Sequence, residues 1–451
     1  MTNDSIRYTP GRSWKQRLKR YTRNLLLVLL AVLLIVWWQV LRIVEHDHWP
    51  PPADAVTAEQ ALQVTTDFVS ADRKRDEVAI DLAPTYASDA DFFLDGTQFF
   101  PEILADIESA QSSIHILMFA FAPGEWGDRI ADALIRKASE GVEVRLITDE
   151  QGSHPFERNS DLYDRMAAGG VQIVVNDTWP LQYSGELPDR DLEWSIDEAG
   201  RSDHRKMLVI DGTIGWVGGA GFEDHFAGGE WLDTFTRIQG DVVRQLQLIF
   251  LTSYHAYGGT LPDDLAGYFP IPEDGGDIRV TVLQNIPGGF LPGTQASREA
   301  IQNATKRLDV LNPYFTDAGF IDLVTDAGER GVEVRVVTSM NSNNTPAAWA
   351  IRHKYGQMFE AGIGVYEVPG VLHAKVTVAD DTVIIGSINY DAWSLYRNLE
   401  LALMFEDADI ADQVSAQIVD PVMARAEVPE DISGWREEIP AQFWWWLRYF
   451  L

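Results

Sequence analysis

The octapeptide GVEVRLIT at 141–148 returns almost unchanged as GVEVRVVT at 331–338, 190 residues further on. Each copy opens on a glycine that closes a helical pattern, then runs through β-branched apolar residues, so each reads as a strand entered from a helix. Outward from the first copy, SIHILMFAF (113–121) is an apolar, β-rich run, and GDRIADALIRKASEG places Ile130, Leu134 and Ala138 on one helix face. A second helix through SDLYDRMAAGG and a strand VQIVV follow. The second copy keeps that order. RLDVLNPYF (307–315) reads as strand and DAGFIDLVTDAGERG as helix; AAWAIRHKYGQMFEAG is the next helix and IGVYEV the last strand. Two β-α-β-α-β units with right-handed crossovers predict an α/β fold of two similar lobes with largely parallel sheets. A repeat of this size is a duplicated domain, not a solenoid.

A polar signature follows the last strand of each unit. HRKMLVID (204–211) and LHAKVTVAD (372–380) put His204, Lys206 and Asp211 at the same spacing as His373, Lys375 and Asp380. From Gly141 to His204 is 63 positions and from Gly331 to His373 is 42, so the first copy holds 21 extra residues, placed in QYSGELPDRDLEWSIDEAGRSD. The chain has eight lysines and nine histidines, and each motif takes one of each. Residues i and i+2 of a strand share a face, so His and Lys should emerge side by side. Asp211 has the other parity and precedes Gly212, a hairpin-turn dipeptide, so within the motif it is expected to anchor the turn. With the lobes packed symmetrically, two His and two Lys meet in one cleft. Such a set suits phosphodiester chemistry with neither metal nor cofactor. One neutral His attacks phosphorus, the other protonates the departing alcohol, and the lysines hold the non-bridging oxygens.

Composition narrows the setting. With 451 residues and 46% apolar content the chain can bury a large core, and the absence of cysteine excludes disulfides, thiolate nucleophiles and cysteine zinc sites. The net charge is −32; residues 1–45 hold 8 Lys/Arg against 2 Asp/Glu, which leaves 28 against 66, a balance of −38, for the rest. A body that acidic is repelled by a phosphate backbone, so nucleic acid is not expected as a partner. Seven basic residues precede the uncharged stretch LLLVLLAVLLIVWWQVL (25–41), which reads as an uncleaved membrane anchor with the N-terminus cytoplasmic and the body extracytoplasmic. No small-x-small cleavage site follows it. The chain ends in PAQFWWWLRYFL, where Trp444, Trp445 and Trp446 suit either a second contact with the membrane interface or a segment docked on the core. The expected organisation is a basic N-terminus (1–24), a transmembrane anchor (25–45), a linker and lead-in (46–95), lobes at 96–275 and 276–430, and an aromatic C-terminal segment (431–451).

The paired motifs resemble those of the phospholipase D superfamily, and most of all its bacterial cardiolipin synthase branch, over residues 95–430. GSINYDAWSLYRNLE (386–400) is similar to the family's GSxNxDxRSxxxNxE, and GEWLDTF (229–235) resembles its WxDT segment. The resemblance implies two pseudo-symmetric phospholipase D-like α/β/α lobes sharing one active site. It implies that Gly386, Ser387 and Asn389 line a phosphate site, and that a carboxylate from each half orients the histidine of the other. Glu400, 27 positions after His373, would then serve His204; Asp233, 29 after His204, would serve His373. By the same resemblance His204 is the nucleophile and His373 the general acid, an order the residues alone do not set. The implied activity is a membrane-anchored phosphatidyltransferase that makes cardiolipin and glycerol from two phosphatidylglycerols through a phosphohistidine. A hydrolase releasing phosphatidic acid, a nuclease and a non-catalytic lipid-binding protein are the alternatives. The chain departs from the pattern in three places. VGGAGF puts Gly219 and Gly221 where the family offers a polar side chain, Trp393 replaces the usual Arg, and one N-terminal span stands where many bacterial cardiolipin synthases have two.

Overall fold

The structure, a computed structural model, describes residues 85–450 except 157, 177–180, 187–188, 195–201, 287–290 and 430–434. The basic N-terminus, the expected membrane anchor and the linker up to residue 84 lie outside the described residues. Among the described residues no helix is long and apolar enough to cross a membrane.

The first lobe begins with β1 (Thr85–Ala87), β2 (Asp89–Asp95) and helix α1 (Gly96–Ser109). Asp95 caps α1 by accepting Thr97 N–H at 2.9 Å. The first β-α-β-α-β unit is β3 (Ser113–Met118), α2 (Glu125–Ser139), β4 (Glu143–Asp149), α3 (Ser160–Ala168) and β5 (Gln172–Asn176). The insertion contributes a separate antiparallel hairpin, β6 (Leu181–Glu186) and β7 (Asp189–Trp194). Then come β8 (Lys206–Ile210), β9 (Ile214–Gly218), β10 (Trp231–Gln239) and α4 (Val242–Ala256).

The second lobe repeats this plan. It runs β11 (Ile278–Asn285), α5 (Pro292–Asn303), β12 (Arg307–Leu311), α6 (Ala318–Glu329), β13 (Glu333–Ser339), α7 (Thr345–Arg352) and β14 (Gly364–Val368). After it come β15 (Val371–Leu372), β16 (Val376–Ala379), β17 (Thr382–Gly386), β18 (Glu400–Glu406) and a helical stretch over 408–423. The two octapeptide glycines do equivalent work: Gly141 (φ 95) and Gly331 (φ 85) take the left-handed conformation that lets the helix end and the strand begin. The single helix expected over 347–362 is instead two, broken after Arg352 and resumed at Tyr355–Glu360. The break turns the Tyr355 hydroxyl inward, where it donates to Glu367 Oε1 at 2.9 Å.

The strand orders β5-β4-β3-β8-β9-β10 and β14-β13-β12-β16-β17-β18 are the same. Only their first three strands run parallel; β8 to β10 and β16 to β18 are antiparallel meanders, so the sheets are mixed and not largely parallel as the repeat suggested. The tight turns that follow the motif strands, between Ile210 and Ile214 and between Ala379 and Thr382, enforce the reversal of β9 and β17. The lobes also exchange edges. β15 of the second lobe joins β10 of the first, and β1 joins β11. β2, within the stretch read as lead-in, is an antiparallel strand on β10.

Alternation along the strands gives each sheet two apolar faces. Leu208 and Ile210 pack outward with α1 and α2, whereas Met207 and Val209 point inward. On the other sheet Val378, Val383 and Leu403 point inward and Ala379, Ile384 and Ala402 outward. The inner faces, with α4 and the 408–423 helices, merge into one core. That shared core fixes the lobes against each other and brings the two motifs together.

Candidate active site

Both motif histidines sit just before their strands, not within them. The segment around Asp203 pairs in parallel with Leu399, and His204 N–H donates to Leu399 O at 2.9 Å. In the other half β15 pairs in parallel with β10, and His373 N–H donates to Leu232 O at 2.7 Å. Each acceptor is the residue just before the carboxylate expected to serve that histidine. His204 Nδ1 lies 3.0 and 3.1 Å from the Glu400 oxygens, and His373 Nδ1 lies 2.6 Å from Asp233 Oδ2. An ionised carboxylate only accepts, so Nδ1 of each ring carries the proton and Nε2 keeps its lone pair.

The lysines complete the cluster. Lys206 Nζ donates to His204 O at 2.5 Å; Lys375 Nζ donates to His373 O and lies 2.6 Å from His373 Nδ1, 3.3 Å from its Nε2 and 3.7 Å from Asp233 Oδ2. Burial, reinforced by both lysine charges, pushes His204 far below its usual range and His373 down to about 3. Burial also brings Lys206 down to about 7 and Lys375 to about 8. Glu400 rises to about 7 through burial despite Lys206 beside it. At Asp233 burial works the same way, but the Lys375 charge and His373 outweigh it and the carboxyl falls below its usual value. Lys375 acts on His204 and Lys206 on His373, so the four side chains share one electrostatic site.

The remaining sequence-nominated residues divide. Ser387, next to Gly386, donates its hydroxyl to Glu400 Oε2, and Asn389 donates to Ser394 Oγ at 3.3 Å. A Cβ on Gly386 would meet Leu401 O at 2.3 Å, so that strand end admits no side chain. Asp211 and Asp380 stay outside the cluster, in the turns at the far ends of their strands with φ of 52 and 51. Asp211 accepts from Gln111, Ser112 and Ser113 N–H at 2.8, 2.7 and 2.9 Å. Asp380 does the same for Thr305, Lys306 and Arg307 at 2.8, 2.8 and 3.0 Å. Although they complete the motifs, neither takes part in the cluster: each ties its hairpin turn to the residues that open the first parallel strand of its repeat.

In the first half the departures have a geometric reason. An ideal Cβ on Gly219 would lie 2.3 Å from Asp233 Oδ1, and one on Gly221 would lie 2.7 Å from Ala120 O. The space that Ser387 uses in the second lobe is filled in the first by the shorter carboxylate itself.

Several neighbours carry no motif signal. Phe119 meets the His204 ring edge-on at 4.7 Å and lies 4.7 Å under Lys206 Nζ. Tyr314 stands 5.8 Å from His373. Each follows the first parallel strand of its repeat, so the carboxyl ends of those strands were the available clue. Beneath His204, buried Arg205 clamps Asp203 at 2.7 and 2.6 Å, and Tyr257 donates to Asp203 at 2.9 Å.

Residues 103–227 and 298–420, more than half the chain, match the family described as "Cardiolipin synthase, PLD-like domain". Cardiolipin synthase 2 of Staphylococcus epidermidis (strain ATCC 35984) is 31% identical over 346 residues, 72% of this chain and 66% of that protein. Cardiolipin synthase of Staphylococcus aureus (strain Mu50) is 28% identical over 363 residues, 76% and 69% of the two chains. In fold, the chain is similar to phosphatidylserine synthase of Haemophilus influenzae Rd KW20, with a TM-score of 0.63 at 14% identity over 82% of this chain and 97% of that one. The chain spans just under two thirds of the Staphylococcus epidermidis relative. With both family segments matched and a mixed α/β fold of two phospholipase D-like domains, the chain belongs to the cardiolipin synthase-type phospholipase D-like family.

Proposed function

We propose that this protein is a membrane-anchored phosphatidyltransferase that joins two phosphatidylglycerol molecules into cardiolipin and releases glycerol. The observation that carries the reading is the crossed pairing of His204 with Glu400 and His373 with Asp233, with a lysine beside each histidine. Nε2 of His204 attacks phosphorus; the phosphorus–oxygen bond to glycerol breaks, and the glycerol oxygen takes a proton from His373. The free site keeps His373 neutral because burial and the lysines oppose its charge. A bound phosphodiester cancels the lysine repulsion, which couples protonation of His373 to substrate binding. A hydroxyl of the second phosphatidylglycerol then gives its proton to His373 and attacks phosphorus, breaking the phosphorus–nitrogen bond. Lys206 and Lys375, with Ser387 and Asn389 at the second lobe's strand end, stabilise the charge on the non-bridging oxygens. In this reading the 25–41 stretch holds the chain in the cell membrane, with the N-terminus cytoplasmic and the lobes outside.

Incubation with glycerol-labelled phosphatidylglycerol tests the reading. Cardiolipin and free glycerol should appear in equal amounts; phosphatidic acid without cardiolipin would refute the transferase. Acid-quenched turnover should trap phosphorus on His204, and His204→Ala should remove both the adduct and turnover while the protein stays folded.

A further inference from the structure

The repeated octapeptides end on Thr148 and Thr338, and the residue after each closes its strand: Asp149 ends β4 and Ser339 ends β13. The two side chains differ in type, yet both are buried and both reach the residue immediately before a motif histidine. In the second lobe the Ser339 hydroxyl donates to Leu372 O at 2.8 Å and accepts Leu372 N–H at 2.7 Å. In the first, Asp149 Oδ2 accepts Asp203 N–H at 2.8 Å and the Asn176 amide at 2.7 Å. Its Oδ1 accepts the N–H groups of Gln151 and Gly152 at 2.9 and 3.3 Å.

These contacts supply what the strand ladder does not. Asp203 bridges to Leu399 and Leu372 pairs with Leu232, so the backbone before each histidine is laddered to the opposite lobe. Asp149 and Ser339 hold the same two residues from their own lobe. Each histidine therefore projects from a peptide gripped on two sides, and its ring meets a carboxylate of the opposite lobe. A displacement of about 1 Å at such an anchor is enough to misplace a reacting nitrogen. Losing the anchor also leaves buried backbone groups without partners, which favours that displacement.

We infer that Asp149 and Ser339 are positioning residues of the reaction, each fixing the backbone from which its own lobe's histidine projects: Asp149 for His204 and Ser339 for His373. The separate step assigned to each histidine rests on the phosphatidyltransferase reading; the positioning does not.

The test uses the full chain in mixed micelles with two donor lipids. Phosphatidylglycerol needs an acid to release its headgroup, whereas phosphatidyl-p-nitrophenol releases a stable phenolate without one. Ser339→Ala removes a single hydroxyl. Asp149→Asn keeps the shape, but its one amide oxygen cannot serve donors on both sides. On phosphatidylglycerol each variant should slow the burst of headgroup release roughly tenfold, with KM within about twofold of the unsubstituted chain. On the nitrophenyl donor Ser339→Ala should recover to within about threefold, because His373 is no longer required as acid. Asp149→Asn should stay slow, because His204 must still attack. A purely structural role would slow both donors alike in both variants. That result, or bursts unchanged in both variants, would overturn the inference. The mirror-image result would uphold the positioning and reverse the roles of the two histidines.

A second readout needs no turnover. Diethyl pyrocarbonate acylates neutral imidazole, and mass spectrometry follows His204 and His373 separately. Ser339→Ala should change the rate at His373 alone and Asp149→Asn the rate at His204 alone, each by roughly threefold or more. Equal changes at both histidines, or none, would overturn the inference. If the unsubstituted chain turns over neither donor, the functional reading fails, and the acylation rates still decide the positioning.

Discussion

The two lobes hold their histidines with different residue pairs, Asp233 with Gly219 in one and Glu400 with Ser387 in the other, and exchanging one pair for the other is a sharp test. An added side chain at Gly219 would place Cβ 2.3 Å from Asp233 Oδ1 and 3.0 Å from its Cγ. To regain ordinary contact in Gly219→Ser, the carboxylate must retreat by about 1 Å, which is enough to lose its 2.6 Å bond to His373. A charge-assisted hydrogen bond is worth about 1.5–3 kcal/mol, so kcat should fall roughly 10- to 150-fold. Asp233→Glu alone should cost a similar factor, because its longer chain has no serine hydroxyl to seat it. The double variant reproduces the pair that already works in the second lobe. Its loss should be under roughly tenfold, far less than the product of the single losses. The assay is kcat on labelled phosphatidylglycerol for all four proteins, with thermal unfolding to establish that each is folded. Losses that simply multiply would refute the coupling between carboxylate length and residue 219.

Three further outcomes are expected. Glu400→Gln keeps the size of the side chain but removes the anion that fixes the His204 tautomer, so kcat should drop roughly 10²- to 10⁴-fold with little trapped phosphohistidine; an unchanged burst would contradict this. Lys206 and Lys375, lowered to about 7 and 8, are charged below those values and neutral above them, so kcat/KM should decline as pH rises through that interval; a profile flat to pH ~10 would remove the lysines from phosphate binding. Asp211→Ala strands three backbone N–H groups and should lower stability by about 1–3 kcal/mol in urea unfolding. Activity per folded molecule should survive, and its loss would return Asp211 to the chemistry.

Much of this protein is legible in its sequence because the relevant information is local. The octapeptide repeat, the helix-ending glycines Gly141 and Gly331 and the two-residue offset of His and Lys are each written within a few positions. Backbone periodicity turns that spacing into direction. The turn role of Asp211 was legible too, from its parity and the glycine after it. Local pattern misled where tertiary packing intervened. Apolar strands suggested parallel sheets, yet half of each sheet is an antiparallel meander. Across the lobes the pairings were implied only by the family resemblance, and their alignment comes from packing. His204 and Glu400 are 196 positions apart, His373 and Asp233 are 140, and no residue pattern records the backbone bonds to Leu399 and Leu232 that align them. Gly219 looked like a lost polar group until the Asp233 carboxylate was seen in its place. The aromatic C-terminus offered membrane contact or core docking as alternatives; folded as a helix, it turns Trp445 inward and Trp446 outward. Spacing along the chain sets which way a side chain points, but what it meets depends on a surface supplied by distant residues, and only packing brings the two together.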